Sequence, residues 1–297
     1  MRIGTRRSAL ALAQAELVAG MLGPGAELVP MASAGDEGAL GGDKSRWVSV
    51  LEQALLEGEI DLAVHSAKDV PGELPEGLAL LGAPARAPAE DVLCGAVSVE
   101  ALPAGARVGS SSLRRVAQLR SAREDLEVVS LRGNVDTRLR KLAEGEDGLC
   151  AIVLARAGLA RLGREADVGG RLDPERFVPA PGQGALAIEG RRDDPAAAEA
   201  AARLNDPETH ACLLAERALA RELGADCDTP LGAHARPDGD GGLRLRGWVG
   251  LPDGSAWCVD EQGGEDPEAL GAAVAARLSA VGASELLARA REMAGAA

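Results

Sequence analysis

Between Arg107 and Lys141 the chain sets eight arginines and one lysine against Glu124, Asp125, Glu127 and Asp136, a local net charge of +5. The 297 residues together carry −14, so everything outside this stretch sums to −19. Guanidinium concentrated against the overall trend points to an anionic ligand. Two motifs focus it: Gly109-Ser110-Ser111-Ser112 followed by Arg114 and Arg115, and Arg132-Gly133-Asn134-Val135-Asp136-Thr137-Arg138. In the first, a strand ending at Val108 gives way to a Gly/Ser turn and a helix that starts near Leu113. Backbone N–H groups, the helix dipole and hydroxyls then gather at one point. Arginine forks beside such a cradle suit carboxylate or phosphate, each charge-assisted bond contributing roughly 1.5–3 kcal/mol when shielded from water. Arg120 and Arg123, further along, are expected to form an ordinary solvated helix face.

Other candidate groups are scattered along the chain. Lys68 and Asp69 follow the strand Ile60–Val64, at the kind of strand end where α/β sheets place their chemistry. His65 beside them reads as a hydrogen-bonded packing residue. Arg6 and Ser8 sit at a second strand-turn-helix entry. Cys227 lies in a turn-rich loop between Asp226 and Asp228. The five cysteines form no C-x-x-C pair and the three histidines are dispersed, so neither a disulfide framework nor a metal site is suggested.

The elements that must position these groups alternate. After Met1–Thr5 comes a helix with Leu10, Leu17, Val18, Met21 and Leu22 as its apolar face, then a strand at Leu28–Met31. A Gly-rich loop, Ser33–Ser45, expected to be mobile, precedes a helix with Leu51, Ala54 and Leu55. Leu81–Pro88 suggests a crossing into a second unit of strands at Asp91–Leu93, Arg107–Gly109, Leu126–Leu131 and Cys150–Leu154, expected to form a parallel sheet. Val178–Gly184, with its prolines and glycines, marks a return crossing into the strand Ala185–Ile188. The expected fold is therefore α/β, with two lobes of the type II periplasmic-binding-protein kind plus a small α+β C-terminal domain with an antiparallel sheet. The expected boundaries are 1–83 with 184–202, 88–178, and 205–297. In the last domain a helix spans Thr209–Leu223, and a hairpin turns at Pro252-Asp253-Gly254.

Composition narrows the function. Aromatics are nearly absent, with one Phe, three Trp and no Tyr, which leaves few stacking platforms, and a net charge of −14 repels phosphate backbones, so nucleic acid is not an expected partner. No apolar run reaches the roughly 18 residues of a membrane span. A cytoplasmic monomer is expected.

Eight motifs taken together resemble the porphobilinogen deaminase family: RRSALALAQ from Arg6, LVPMASAGD from Leu28, DLAVHSAKDVP from Asp61, GSSSLRR from Gly109, LRGNVDTRL from Leu131, AGLARLG from Ala157, PGQGA from Pro181 and CDTPLG from Cys227. The resemblance implies a three-domain enzyme carrying one covalent dipyrromethane cofactor, thioether-linked to Cys227. It would condense four porphobilinogen molecules onto that primer with loss of ammonia, then hydrolyse off linear hydroxymethylbilane. It assigns catalysis to Asp69 and contact with the cofactor to Lys68, Ser8, Ser110, Ser112, Arg114, Arg115 and Arg138. Contact with the substrate falls to Arg6, Arg132, Arg138, Arg161 and Gln183. Each pyrrole brings an acetate and a propionate, which accounts for arginine forks inside a net-acidic protein. The family's loop of Gly-Gly-Lys-Gly-Leu-Phe followed by Lys and Glu is replaced here by Gly41-Gly42-Asp43-Lys44-Ser45-Arg46-Trp47-Val48-Ser49-Val50, and Ala34 stands where the family has Arg. An altered lid is expected. The alternative is a non-catalytic anion-binding module on the same fold, which gives Cys227 and Asp69 no purpose.

Overall fold

A computed structural model describes residues 1–32, 45–226 and 228–295. The first lobe opens with β1 (Arg2–Arg6), α1 (Ala9–Leu22), β2 (Glu27–Met31), α2 (Ser45–Leu56), β3 (Leu62–Ser66) and β4 (Leu78–Gly82). The second runs β5 (Asp91–Cys94), β6 (Arg107–Gly109), α3 (Leu113–Ala122), β7 (Glu127–Val129), α4 (Val135–Ala143), β8 (Leu149–Ala155), α5 (Arg156–Arg161) and β9 (Gly170–Arg171). The chain then returns through β10 (Leu186–Arg191) and α6 (Pro195–Leu204).

The two sheets have matching orders, β2-β1-β3-β10-β4 and β7-β6-β8-β5-β9. In each, the fourth strand arrives from the other lobe and runs antiparallel to both neighbours: β10 between β3 and β4, β5 between β8 and β9. The second sheet is thus mixed, where the valine-rich strands suggested a parallel one. A strand entering by a crossing comes from the opposite end of the sheet, and only its antiparallel direction lets the next segment continue into the lobe.

The crossings touch. Gly184, at φ +87°, leaves so little room that a Cβ there would meet the Ala87 carbonyl at 2.3 Å, and Ala87 N–H donates to the Gly184 carbonyl. Gly182, at φ +73°, is pressed against Ala67 in the same way.

Helix α1 is capped by the Ser8 hydroxyl, which accepts from Ala11 N–H. Its buried face is Ala11, Gln14, Ala15 and Val18, while Leu17 and Met21 are about half exposed, at 45% and 51%. The apolar face expected from the larger residues is therefore rotated, because alanines let the helix lie close on the sheet.

The third domain packs α7 (Pro207–Glu222), α8 (Pro267–Ala280) and α9 (Ala283–Gly295) against an antiparallel sheet of β11 (Leu231–Pro237), β12 (Leu243–Gly250) and β13 (Trp257–Gly264). Helices α6, α7 and α8 each begin with Asp-Pro, the aspartate accepting first-turn N–H groups and the proline filling the first helical position.

Candidate active site

The C-terminal edge of the first sheet forms a pocket lined by Arg6, Ser8, Gln14, His65, Ser66 and Asp69 over an apolar floor of Leu10, Ala11 and Val64. Arg6 ends β1, Ser8 caps α1, and Asp69 lies in the short 3-10 turn Ala67–Asp69 after β3. Two strand ends and one helix start thus bring together groups far apart in sequence. Gln14 is buried and donates its amide to the Ser66 hydroxyl at 2.8 Å. The acid and the guanidinium that the sequence singles out share this pocket.

Lys68 leaves the same turn in another direction. Its Nζ donates to Gln183 Oε1 at 3.5 Å, and the fully buried Gln183 donates its amide to Asp91 Oδ1 at 2.8 Å and to the Ala89 carbonyl. Asp91 in turn faces both arginines at the start of α3, at 2.8 Å from Arg114 and 2.8 Å from Arg115. Arg114 also donates to the Val178 carbonyl and Arg115 to the Val153 carbonyl. Burial alone would raise the Asp91 carboxyl; Arg114 and Arg115 outweigh it and hold the group well below the usual carboxylate range.

From the sequence, Arg114 and Arg115 are open forks beside a cradle. The structure buries them, with 3% and 8% of their surface exposed, and pairs them with an aspartate that no motif indicated. Each keeps a buried Nε with no hydrogen-bond partner among the described residues. Ser110 is buried and its hydroxyl accepts from Ser112 N–H, while Ser112 starts α3 without using its hydroxyl as a cap.

Arg132, Arg138 and Arg161 are placed differently. Arg132 is exposed. Among the described residues Arg138 donates to the Gly133 carbonyl and Arg161 to that of Gly184. Burial pushes both guanidiniums down to about 10, with the charge of Arg115 adding to the effect on Arg138. At neutral pH both remain cations, yet no carboxylate pairs with either among the described residues. Half-buried charge without a counter-ion is costly, and an anionic ligand would offset the cost. Cys227 and the loop 33–44, including Lys44, lie outside the described residues. Flanking Cys227, the Asp226 carboxylate accepts from the Thr229 hydroxyl at 2.6 Å and from Asp228 N–H.

The third domain braces the crossings through groups the sequence reading passed over. Glu216 on α7 is fully buried and accepts both terminal nitrogens of Arg86, at 2.7 and 3.1 Å, together with Gly182 N–H and Ala235 N–H. Arg217 donates to the carbonyls of Val70, Pro71 and Gly72, just past Asp69. Arg120, expected in solvent, donates to the Pro252 carbonyl of this domain, and Arg123 pairs with Asp125. A glutamate among Cys212, Leu213, Ala215, Ala218 and Leu219, all facing the core, was the available signal for Glu216.

Two α/β lobes that exchange strands, with uncompensated arginines in the second lobe and an acid at the strand ends of the first, define a type II binding-protein architecture adapted to chemistry on a carboxylated ligand. The family models for the porphobilinogen deaminase dipyromethane cofactor binding domain and C-terminal domain match residues 1–199 and 210–280. A porphobilinogen deaminase of Xanthomonas euvesicatoria is 50% identical over 97% of this chain and 98% of its own length, and one of Rubrobacter xylanophilus is 47% identical over 96% and 95%. The chain belongs to the porphobilinogen deaminase family. Among solved structures, the Methionine Binding Protein MetQ aligns at 14% identity and a TM-score of 0.41, over 69% of this chain and 87% of that one.

Proposed function

We infer that this protein is a hydroxymethylbilane synthase: it condenses four porphobilinogen molecules head to tail, releases ammonia at each step and hydrolyses off the linear tetrapyrrole. The observation that carries this reading is the pair of half-buried cations, Arg138 and Arg161, without carboxylate partners among the described residues. The unused Nε atoms of Arg114 and Arg115 add to the demand for acceptors. A ligand with two carboxylates per ring fits that demand. The dipyrromethane, when held through a thioether at Cys227, supplies the pyrrole α-carbon to which rings are added.

Within the pocket, Arg6 and Ser8 orient the incoming ring's carboxylates by charge and hydrogen bonding. The Asp69 carboxylate stabilises positive charge developing on the porphobilinogen methylene carbon as ammonia departs. Lys68, held toward Gln183, Ser110, Ser112 and the arginines of the second lobe neutralise the acetate and propionate groups, with Arg132 and Gln183 at its margins. The residues that depart from the family's pattern at 33–50 include neither Asp69 nor the arginines named above.

The dispersed thiols Cys94, Cys150, Cys212 and Cys258 fit a reducing, cytoplasmic setting, and the acidic charge disfavours nucleic acid. Purified protein tests the reading: its intact mass exceeds that of the chain by two condensed pyrrole units, and porphobilinogen yields a linear tetrapyrrole. Protein that carries the primer but forms no tetrapyrrole rejects the catalytic assignment.

A further inference from the structure

We propose that His65 takes the proton released in the condensation step, with Glu189 as its positioning partner; the idea rests on the synthase reading above. Once the carbon–carbon bond forms, the pyrrole α-carbon must shed a proton; Asp69 can take part in its removal, and a buried imidazole in the same pocket offers a second acceptor. His65 lines the same pocket as Asp69 and Arg6. Its Nε2 stands 2.8 Å from Glu189 Oε2, with side chains 4% and 0% exposed. The register explains the meeting: His65 lies opposite Ala187 and Glu189 opposite Ala63, so both side chains occupy the α2 face of the sheet on adjacent strands.

Glu189 is fully buried, and its one ion-pair partner among the described residues is this imidazole. Glu52 of α2 joins from above, with a buried Oε1 lacking a partner among the described residues. Burial, then Glu189, pushes its carboxyl up to about 7. The other charged groups facing it are Arg6 and Asp69 on the pocket side and Arg217 of α7, whose charge acts on Glu189. In the step itself the methylene carbon–nitrogen bond breaks and ammonia departs with its electron pair. The α-carbon of the terminal ring forms the new carbon–carbon bond, and its proton moves to the imidazole. From there it passes to the departing ammonia, which leaves as ammonium.

His65→Gln and Glu189→Gln in primer-bearing enzyme test this, with porphobilinogen deuterated at the free α-position and intact-mass detection of enzyme carrying one to four added rings. Expected are a fall in kcat of about 100-fold for His65→Gln and about tenfold for Glu189→Gln. KM stays within about twofold, because neither residue carries substrate binding. An isotope effect above that of the wild type on the additions after the first, where the lost α-hydrogen comes from a deuterated ring, and slowed steps in the mass ladder accompany the fall. Folded, primer-bearing variants with wild-type kcat, isotope effect and ladder overturn the proposal. So does a loss of activity that only follows the amount of folded enzyme. If His65→Gln fails to fold, Glu189→Gln decides alone. Wild-type enzyme that forms no tetrapyrrole overturns the synthase reading itself, a result distinguishable from an active wild type with indifferent variants.

Discussion

Gln183 donates its amide to Asp91 at 2.8 Å where the two crossings pass, and Asp91 answers the guanidiniums of Arg114 and Arg115 from the same carboxylate. The first residue precedes the strand returning to lobe one; the second begins the strand entering lobe two. Their contact ties the turn bearing Asp69, through Lys68, to the arginines at the start of α3. Asp91→Asn leaves two buried cations without a counter-charge. It should cost about 3–5 kcal/mol of stability, read as a shift of the urea midpoint.

Glu216 holds both crossings and the third domain's sheet with four hydrogen bonds. Glu216→Gln preserves shape but removes the charge that Arg86 requires. A loss of about 2–4 kcal/mol is expected in thermal or urea unfolding. Retention of full stability would show that the joint does not depend on this pair.

Arg161 and Arg138 should behave in the opposite sense. Arg161→Met removes a half-buried, uncompensated charge, so stability should stay level or rise by up to about 1 kcal/mol. The concentration of porphobilinogen needed for half-maximal rate should increase by about tenfold. Kinetics and unfolding on the same preparation separate the two effects.

Asp69→Asn should retain the fold, the covalent primer and the arginine contacts while lowering kcat by at least about 100-fold. Mass analysis after incubation with porphobilinogen should then find primer-bearing enzyme without added rings. A variant as fast as wild type would remove Asp69 from the chemistry.

Glu52 gives a pH dependence of definite sign. Its carboxyl is raised from 4.5 to about 7 in the folded state, so the native protein binds a proton that the unfolded chain has released between those values. The stability this contributes is present below the unfolded value and is lost as pH rises through the folded one. Glu52→Gln should gain about 1 kcal/mol over wild type at pH near 8, after allowing for solvent screening, and nothing below pH near 4.5. Denaturant titrations across that interval check it.

Turn chemistry and periodicity made much of this arrangement legible in the chain. The helix start at Ser8, the glycine and proline clusters at the crossings, and the alternation of strand and helix are local signals, and each lies within a few residues of the element it sets. The pocket partners Arg6 and Asp69 were legible through motifs. The hidden counter-ions were not, because Asp91 and Glu216 acquire meaning only when segments some 24 and 130 residues away fold against them. For the same reason the face of α1 was read only in part, Val18 and Leu22 packing on the core while Leu17 and Met21 do not: leucine and methionine dominate a one-dimensional pattern, whereas close contact with a sheet favours alanine. Arg120 was read as solvated because nothing in its own helix reveals the hairpin of another domain lying against it.

The paired entries to β5 and β10 have a mechanical corollary. Among the described residues every ladder lies inside one lobe, and the lobes are joined by the two crossing segments, in contact at Ala87 and Gly184. Arg86 and Arg217 tie the third domain to the first crossing and to the turn beyond Asp69, so any swivel of the lobes about the paired linkers would have to carry that domain along or break these bonds.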